Sequence, residues 1–398
     1  MSKIILHIDL NTFFVRCEEL INPSLEGKPV IIGHSGRGGI VSTCSYEARK
    51  YGVHSGQPTF QALELCPNAI IIHGHYELYS KKSKEFFNYV KQYSKIIEKA
   101  SIDECYVDMT EQLSKVKDVV GYLKEFQSNL LKEVGLKCSI GVAPTKFLAK
   151  MGSDMKKPMG ITIIRRRDVR KMLDPLPISS FYGIGKKTAP RLEEMGIKTI
   201  GDLAKLINSD NIEVKQAFGK FYYVIKDWIN GYGSDEVDVE PWDPKSIGHS
   251  TTFIRDSSDY EEIRGYLKEL AKEVSKEAKE KDKIGFNVQL VLKTNEFKTI
   301  NRSVKLTKPT NDFETIYNEA SILLEKNLNG QEIRLCGVTL QNLIYASDYV
   351  EQLSIFDNYD EISEKNATRD LIRELNRRMK GANLMSASEL LKEKKRGH

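Results

Sequence analysis

The chain has 398 residues, 40% of them hydrophobic and 29% charged, with a net charge of +5. That length exceeds one ordinary core and sets an expectation of roughly two to four domains. No apolar run approaches the ~20 residues of a membrane span, the N-terminal "MSKIILHIDL" has no h-region or cleavage site, and six scattered cysteines without a C-x-x-C pair argue against a zinc centre or a disulfide framework. A cytosolic protein is the resulting expectation.

In chain order, "KIILHID" reads as a short buried strand ending in Asp9. A loop-rich segment follows, "HSGRGGIVSTCSYEARKYGVHSG", with glycines marking its turns. The spacing of Tyr79, Phe86, Val90, Tyr93 and Ile97 predicts a long helix from Tyr76 with one apolar face. "EKASIDECYVD" fits a hairpin bent near Ile102, and a second amphipathic helix is expected through Val116, Val120, Leu123 and Leu130. "KCSIGVAP" reads as a strand, "TKFLAKMGSDMKK" as a helix and "GITIIRR" as a last strand. Such alternation predicts a sheet with helices packed on it. Cys105 and Cys138 fall in apolar strand-like runs and read as small core residues.

From Arg165 to about Asn230 the pattern changes to short helices joined by glycines. "GYGSDEVDVEPWDPKS" is acidic and rich in Gly and Pro, the composition of a linker. Residues 245–345 then read as βαββαβ, a ferredoxin-like split unit. In that unit Ile284, Phe286, Val288, Leu290 and Leu292 alternate with period two. One sheet face would stay free, and Gln289, Lys293, Asn301 and Lys305 on it suit a phosphate backbone. Taken alone, that fold has many functions. The tail after 347 is polar, with one helix expected around "TRDLIRELNRRMK".

Chemistry enters at "SIDECYVDMT", where Asp103 and Glu104 stand side by side. Adjacent ionised carboxylates repel unless a cation lies between them, either a metal ion or a Lys or Arg. Asp9, at the end of another strand, is a natural third member. Three carboxylates at strand ends can hold two Mg²⁺ ions about 3.5–4 Å apart, the geometry of in-line phosphoryl displacement. The alternative is a surface hairpin that carries acids at its turn. The net charge argues only weakly for nucleic acid, but "KMGSDMKKP", "RRRDVRK" and "GKKTAPR" are local basic patches of the kind that bind polyanions.

Five co-linear motifs make the reading specific: "HIDLNTFFVRCEE", "STCSYEARKYGV", "SIDE", "GVAPTKFLAKMGSDMKKPMGI" and "FYGIGKKTAPRLEEMGIKTIGDL". In order and spacing they resemble the Y-family DNA polymerases, with the DNA polymerase IV branch the nearest likeness, over about residues 3–345. The resemblance implies an α+β right-hand polymerase with a βαββαβ little finger, which copies templates past lesions at low fidelity and low processivity. By position it implies a palm at 1–10 and 76–164, fingers at 11–75 and a thumb at 165–231. A linker would follow at 232–244, the little finger at 245–346 and a tail at 347–398.

Residue by residue, the resemblance makes Asp9, Asp103, Glu104 and the backbone carbonyl of Leu10 the ligands of two Mg²⁺ ions. Glu104 reads as a ligand that aligns the primer 3′-hydroxyl. No histidine is placed to act as general base, so proton removal is expected through water or substrate. Phe14 matches the aromatic steric gate that leaves no room for a ribose 2′-hydroxyl, with Phe13 packed nearby. Thr43, Tyr46, Arg49 and Lys157 match the triphosphate donors, Arg as a fork and Lys as a point charge. Ser42 is small enough to leave the roof over the nascent base pair open. "GIGKKTAPRL" resembles a helix-hairpin-helix in which Gly183, Gly185, Lys186 and Lys187 meet a DNA phosphate. "QLSIF" resembles a sliding-clamp peptide anchored by Gln352, Leu353 and Phe356.

The implied partners are primed template DNA, dNTPs and a sliding clamp, with the protein itself a monomer. Two departures stand out. Asn11 occupies a place where many members carry a second aspartate, and 42 residues follow the clamp-like peptide, which is often at the extreme C-terminus. A two-metal nuclease or cyclase would need neither an aromatic gate nor a helix-hairpin-helix. A non-catalytic DNA-binding scaffold would have no reason to keep the carboxylates and the triphosphate set together.

Overall fold

The computed structural model describes residues 3–350, so the tail helix expected at 368–380 and the peptide with Gln352, Leu353 and Phe356 lie outside the described residues. The chain divides into two compact units, residues 1–243 and 244–398.

Among the described residues the first unit carries eight strands: β1 (Ile5–Leu10), β2 (Val30–Gly33), β3 (Val41–Cys44), β4 (Ile70–Ile72), β5 (Ile97–Lys99), β6 (Glu104–Asp108), β7 (Cys138–Ala143) and β8 (Ile161–Ile163). Five of them form one sheet in the order β5-β6-β1-β7-β8, antiparallel except for β7 and β8. Every residue of the central strand β1 is buried, as befits a strand covered on both faces. Leu6, Ile8 and Leu10 enter one core, with Phe86 and Phe87 of helix Tyr76–Val90 and Leu123, Phe126 and Leu130 of helix Val119–Val134. Ile5 and Tyr106 pack in a second core, with helix Lys146–Met155 and the helical segment that follows.

Gly141 of β7 sets how closely that helix approaches. A Cβ at this position would lie 1.9 Å from the Ala149 carbonyl oxygen and 2.5 Å from the Ser153 nitrogen, so only glycine lets the helix backbone rest on the strand.

Two helix expectations need correction. The helix from Tyr76 ends at Val90, and Ile97 belongs to β5. The second helix starts at Val119, with Asp118 capping it by accepting the Gly121 N–H, so Val116 precedes it. Val120 is 40% exposed and lies off its buried face.

The segment read as loop-rich contributes β3 to a three-stranded sheet, β3-β2-β4, which has a core of its own around Ile31, Val41, Cys44, Ala48 and Ala62. Strands of three or four residues are too short to show a period. Beyond β8 the chain is helical, from Val169–Leu173 to Phe221–Ile229, and a Thr199–Asp202 capping box opens the helix Ile200–Asn208. The acidic Gly- and Pro-bearing stretch that follows is tied to this unit. Ser234 O accepts the Lys146 N–H at 2.9 Å, and Glu98 Oε2 accepts the Asp238 N–H at 2.8 Å.

The second unit is one antiparallel sheet of β9 (Ser246–Ser257), β10 (Lys283–Thr294), β11 (Thr299–Thr310) and β12 (Ile333–Tyr345), in the order β11-β10-β12-β9. Helices Tyr260–Glu280 and Phe313–Asn327 complete the expected βαββαβ order. Val288, Leu290 and Leu292 are buried in the core shared with those helices. The intervening Gln289 and Lys293 point to the other face with Asn301 and Lys305, as the β10–β11 register requires. All six cysteines are buried and free, and no described helix is long and apolar enough to cross a membrane.

Candidate active site

Asp9 and Glu104 are direct partners in the β1–β6 ladder. Antiparallel partners share a face, so both carboxylates project toward helix Lys146–Met155. Asp103 sits in the bend before β6, where its carbonyl accepts the Leu10 N–H at 3.0 Å and its Oδ1 accepts the Ser101 hydroxyl at 2.6 Å. The hairpin expected near Ile102 is therefore present, with the Ala100 and Ser101 N–H groups donating to Glu104 O. Asp9, Asp103, Glu104 and Leu10 line one cavity of about 290 Å³.

Cations already reach these acids. Lys150 Nζ lies 3.1 Å from Asp9 Oδ2, 2.7 Å from Glu104 Oε1 and 3.4 Å from Asp154 Oδ2. Lys157 Nζ lies 2.7 Å from Asp9 Oδ1 and 2.8 Å from Asp154 Oδ1. Burial, and then the neighbouring Glu104 carboxyl, push Asp9 up to about 7 against the pull of the two lysines. Burial would also raise Glu104, but the neighbouring His7 and Asp9 side chains and the Lys150 ammonium outweigh it and hold that carboxyl well below the usual range. Lys150 moves above its ordinary value: burial opposes the shift, and Asp9, Asp154 and Glu104 together overcome it. Sequence reasoning singled out Lys157 but not Lys150. The available signal was the i, i+4 spacing of Lys150 and Asp154, which places the pair on one side of the helix, with Lys157 just past its end.

His7 was also missed. It is fully buried, with Nδ1 2.8 Å from Ser153 Oγ, while the Ser153 hydroxyl donates to the Lys150 carbonyl at 2.9 Å. His7 Nδ1 therefore carries the proton given to Ser153. Its Nε2 stands 3.7 Å from Glu104 Oε2, without a hydrogen-bond partner among the described residues. His7 lies behind Glu104 and does not line the cavity.

Among the described residues, no three His, Cys, Asp or Glu side chains form a preformed metal cluster. The donor set is nonetheless all carboxylate and carbonyl oxygen, the choice of Mg²⁺, which completes its shell with water and substrate phosphate. Two ammonium groups held between these acids mark the place as one that favours positive charge.

The rest of the cavity wall carries the expected nucleotide set: Thr43, Tyr46, Arg49 and Lys157, with Ser42, Phe13 and Phe14. The Ser45 hydroxyl caps the short helix Tyr46–Arg49 and so aims both of its end residues. Tyr46 Oη is buried and has no partner among the described residues, a donor left for a ligand. Arg49 Cζ stands 5.2 Å from the Tyr46 ring centroid. Phe13 is 2% exposed and packs in the core. Phe14 is half-buried and stacks on Tyr79 with ring centroids 4.2 Å apart.

Asn11 has a structural part that the sequence did not reveal. Its Nδ2 donates to Ser139 Oγ at 2.9 Å, and its Oδ1 accepts the Met159 N–H at 2.8 Å, two residues beyond Lys157. In the helical segment Gly183 has φ +94° and a Cβ on Gly185 would meet open space, while Lys186 and Lys187 are exposed at the start of helix Thr188–Glu194. Lys186 Nζ comes 3.3 Å from His54 Nδ1.

Comparison with known proteins places these features in a lineage. The impB/mucB/samB family matches residues 8–154, its C-terminal domain matches 244–355, and the family's HHH motif matches 166–197. DNA polymerase IV 1 of Bacillus subtilis (strain 168) is 37% identical over 394 residues, covering 98% of this chain and 94% of its own. DNA polymerase IV of Oceanobacillus iheyensis is 38% identical over 390 residues, covering 97% and 92%. Among solved structures, a Y-family DNA polymerase chimera of Dbh and Dpo4 shares 30% identity with a TM-score of 0.74, covering 86% of this chain and 99% of that one. An insertion ternary complex of Dbh DNA polymerase shares 28% identity with a TM-score of 0.59 over the same shares.

Proposed function

The chain belongs to the Y-family of DNA polymerases, and we propose that residues 1–10 and 76–164 serve as its palm, 11–75 as its fingers, 165–231 as its thumb, 232–244 as its linker and 245–346 as its little finger. It is a DNA-directed DNA polymerase of the translesion class. The finer reading is low-fidelity addition of dNTPs to a primer 3′ end by two-metal phosphoryl transfer. The observation that carries it is the single cavity shared by Asp9, Asp103 and Glu104 with Thr43, Tyr46, Arg49 and Phe14.

In this reading Asp9, Asp103, Glu104 and the Leu10 carbonyl hold two Mg²⁺ ions. When bound, the metal lowers the pKa of the attacking hydroxyl and neutralises charge on the phosphates. The protein's part is positioning. Glu104, at the start of β6, orients the primer 3′-hydroxyl toward the α-phosphorus. Arg49, Tyr46 and Thr43 grip the triphosphate and keep the pyrophosphate leaving group in line. Lys157, paired with Asp9 and Asp154 here, would supply a point charge to the β/γ-phosphates. Phe14 closes the sugar side. Gly183, Gly185, Lys186 and Lys187 hold a DNA phosphate, and the free face of the second unit's sheet contacts the backbone. Gln352, Leu353 and Phe356 dock on a sliding clamp.

Primer extension with Mg²⁺ and dNTPs, comparing the wild type with Asp103→Ala, tests the reading. Template-matched addition by the wild type and none by the variant is the expected result. If neither extends while both bind primed DNA, the chain is a scaffold and the carboxylate pair has another use.

A further inference from the structure

Glu18 is 2% exposed, and burying a carboxyl group is costly unless its oxygens are hydrogen-bonded. Here they are. Tyr79 Oη donates a hydrogen bond to Glu18 Oε1. His75 Nδ1 stands 2.9 and 3.0 Å from the two oxygens, and the His75 N–H is 3.4 Å from Oε1. Glu18 belongs to helix Phe13–Ile21, His75 immediately precedes the helix Tyr76–Val90, and Tyr79 lies one turn into it. The acid thus joins the two helices that meet behind the cavity.

The Tyr79 ring is the surface on which Phe14 rests. It is fully buried, and the two rings lie 4.2 Å apart and 10° from parallel. Phe14 also meets Tyr76 edge-on at 5.8 Å and Phe13 at 5.5 Å. Tyr79 is the one ring of this group with its hydroxyl on Glu18. A phenylalanine would fill the same space and stack as well, so packing alone does not call for the hydroxyl–carboxyl bond. What the bond adds is direction, because it fixes where the Tyr79 ring, and with it the face of Phe14, stands. Burial and the hydrogen bond to Glu18 also raise the Tyr79 hydroxyl well above its usual range, so it keeps the proton it donates.

We propose that Glu18, acting through Tyr79, is a positioning residue for sugar discrimination: it holds the Phe14 ring at the height where a 2′-hydroxyl clashes and a 2′-hydrogen passes. The proposal rests on the reading of Phe14 as the gate. Exclusion by shape tolerates little play, since a site must be held within about 0.5 Å by the residues behind it. A ring free to settle deeper admits a ribose without losing the deoxyribose. Loss of the anchor therefore acts on the ribonucleotide side of the ratio.

The test measures kcat/KM for a dNTP and the matching rNTP on one primed template, for wild type, Phe14→Ala, Tyr79→Phe, Glu18→Ala, Glu18→Gln and the Tyr79→Phe/Glu18→Ala double variant. Glu18→Ala and Tyr79→Phe are each expected to lower the dNTP/rNTP ratio about tenfold, chiefly through a lower KM for the rNTP. The double variant should lower it no further, because the two act through one bond. Glu18→Gln, which keeps an acceptor for the hydroxyl, should restore most of the ratio. If Glu18→Ala and Tyr79→Phe slow both nucleotides in proportion and leave the ratio unchanged, Glu18 is structural only and the proposal fails. Should Glu18→Ala not fold, Tyr79→Phe decides alone, because it keeps the ring and removes only the donor. If Phe14→Ala itself does not admit rNTP, the gate reading fails, and this proposal fails with it for a different and visible reason.

Discussion

Lys150 Nζ lies 2.7 Å from Glu104 Oε1, the shortest of its three contacts with acids. A buried lysine does here what a divalent cation would do, holding Glu104 beside Asp9 against their mutual repulsion. Replacing it with Met removes that charge and leaves the acids under-neutralised. Truncating one partner of a fully buried pair costs ~3–5 kcal/mol. About 2–3 kcal/mol is expected for Lys150→Met, because Lys157 still faces Asp9 and the Glu104 side chain is 26% exposed. Mg²⁺ should then raise the variant's melting temperature more than the wild type's. Thermal melts in EDTA and in Mg²⁺ check this, and equal metal-induced shifts would contradict it.

Asn11 ties the Lys157 turn to β7 through Met159 N and Ser139 Oγ. Asn11→Ala leaves the part-buried Met159 N–H without its acceptor, at a cost near the low end of about 1–3 kcal/mol. It also loosens the chain two residues beyond Lys157. The KM for dNTP should rise several-fold with kcat much less affected. Asn11→Asp keeps the acceptor for Met159 and should stay near the wild-type KM in the same steady-state assay.

Lys293 and Lys305 share the free face of the second unit's sheet with Gln289 and Asn301. If that face tracks phosphates, each Lys→Ala change should weaken DNA binding and reduce the slope of log K against log salt by about 0.9. Preference among DNA sequences should not change. Anisotropy titrations of a labelled primer–template at several salt concentrations read both quantities, and an unchanged slope removes these lysines from the interface.

Thiol chemistry gives an independent check on the packing. Burial pushes Cys17 and Cys336 up to about 12, and all six cysteines are buried. A raised value keeps the thiol protonated at pH 8, and the thiolate is the reactive form. Native protein should therefore give no fast reaction with a thiol reagent at that pH, and all six thiols should react in guanidinium. A single fast native thiol would show that one of these pockets opens.

Period-two alternation along strands of twelve or more residues made the second unit readable, since Val288, Leu290 and Leu292 declare their face at once. The apolar period that ran past the true end of the helix at Val90 misled for a physical reason: Tyr93 and Ile97 still pack against the same core after the chain leaves the helix. The carboxylates were legible because adjacent acids at a strand start are rare and costly. Lys150, His7, Glu18 and Asn11 were not, since each is defined by a partner far along the chain: 141 residues separate Lys150 from Asp9, and 61 separate Glu18 from Tyr79. No local pattern carries such long-range pairings; the spacing of Lys150 and Asp154 marks only one of the three acids that Lys150 meets.

The ladder that sets Asp9 opposite Glu104 has a consequence for how the molecule can fail. Side chains alternate along a strand, so a slip of one residue between β1 and β6 would seat Cys105 or Asp103 across from Asp9 and turn Glu104 toward the opposite core. In the proposed mechanism, pairing these strands correctly and assembling the chemistry are then a single event, and a misregistered chain would be inert, not a polymerase of altered accuracy.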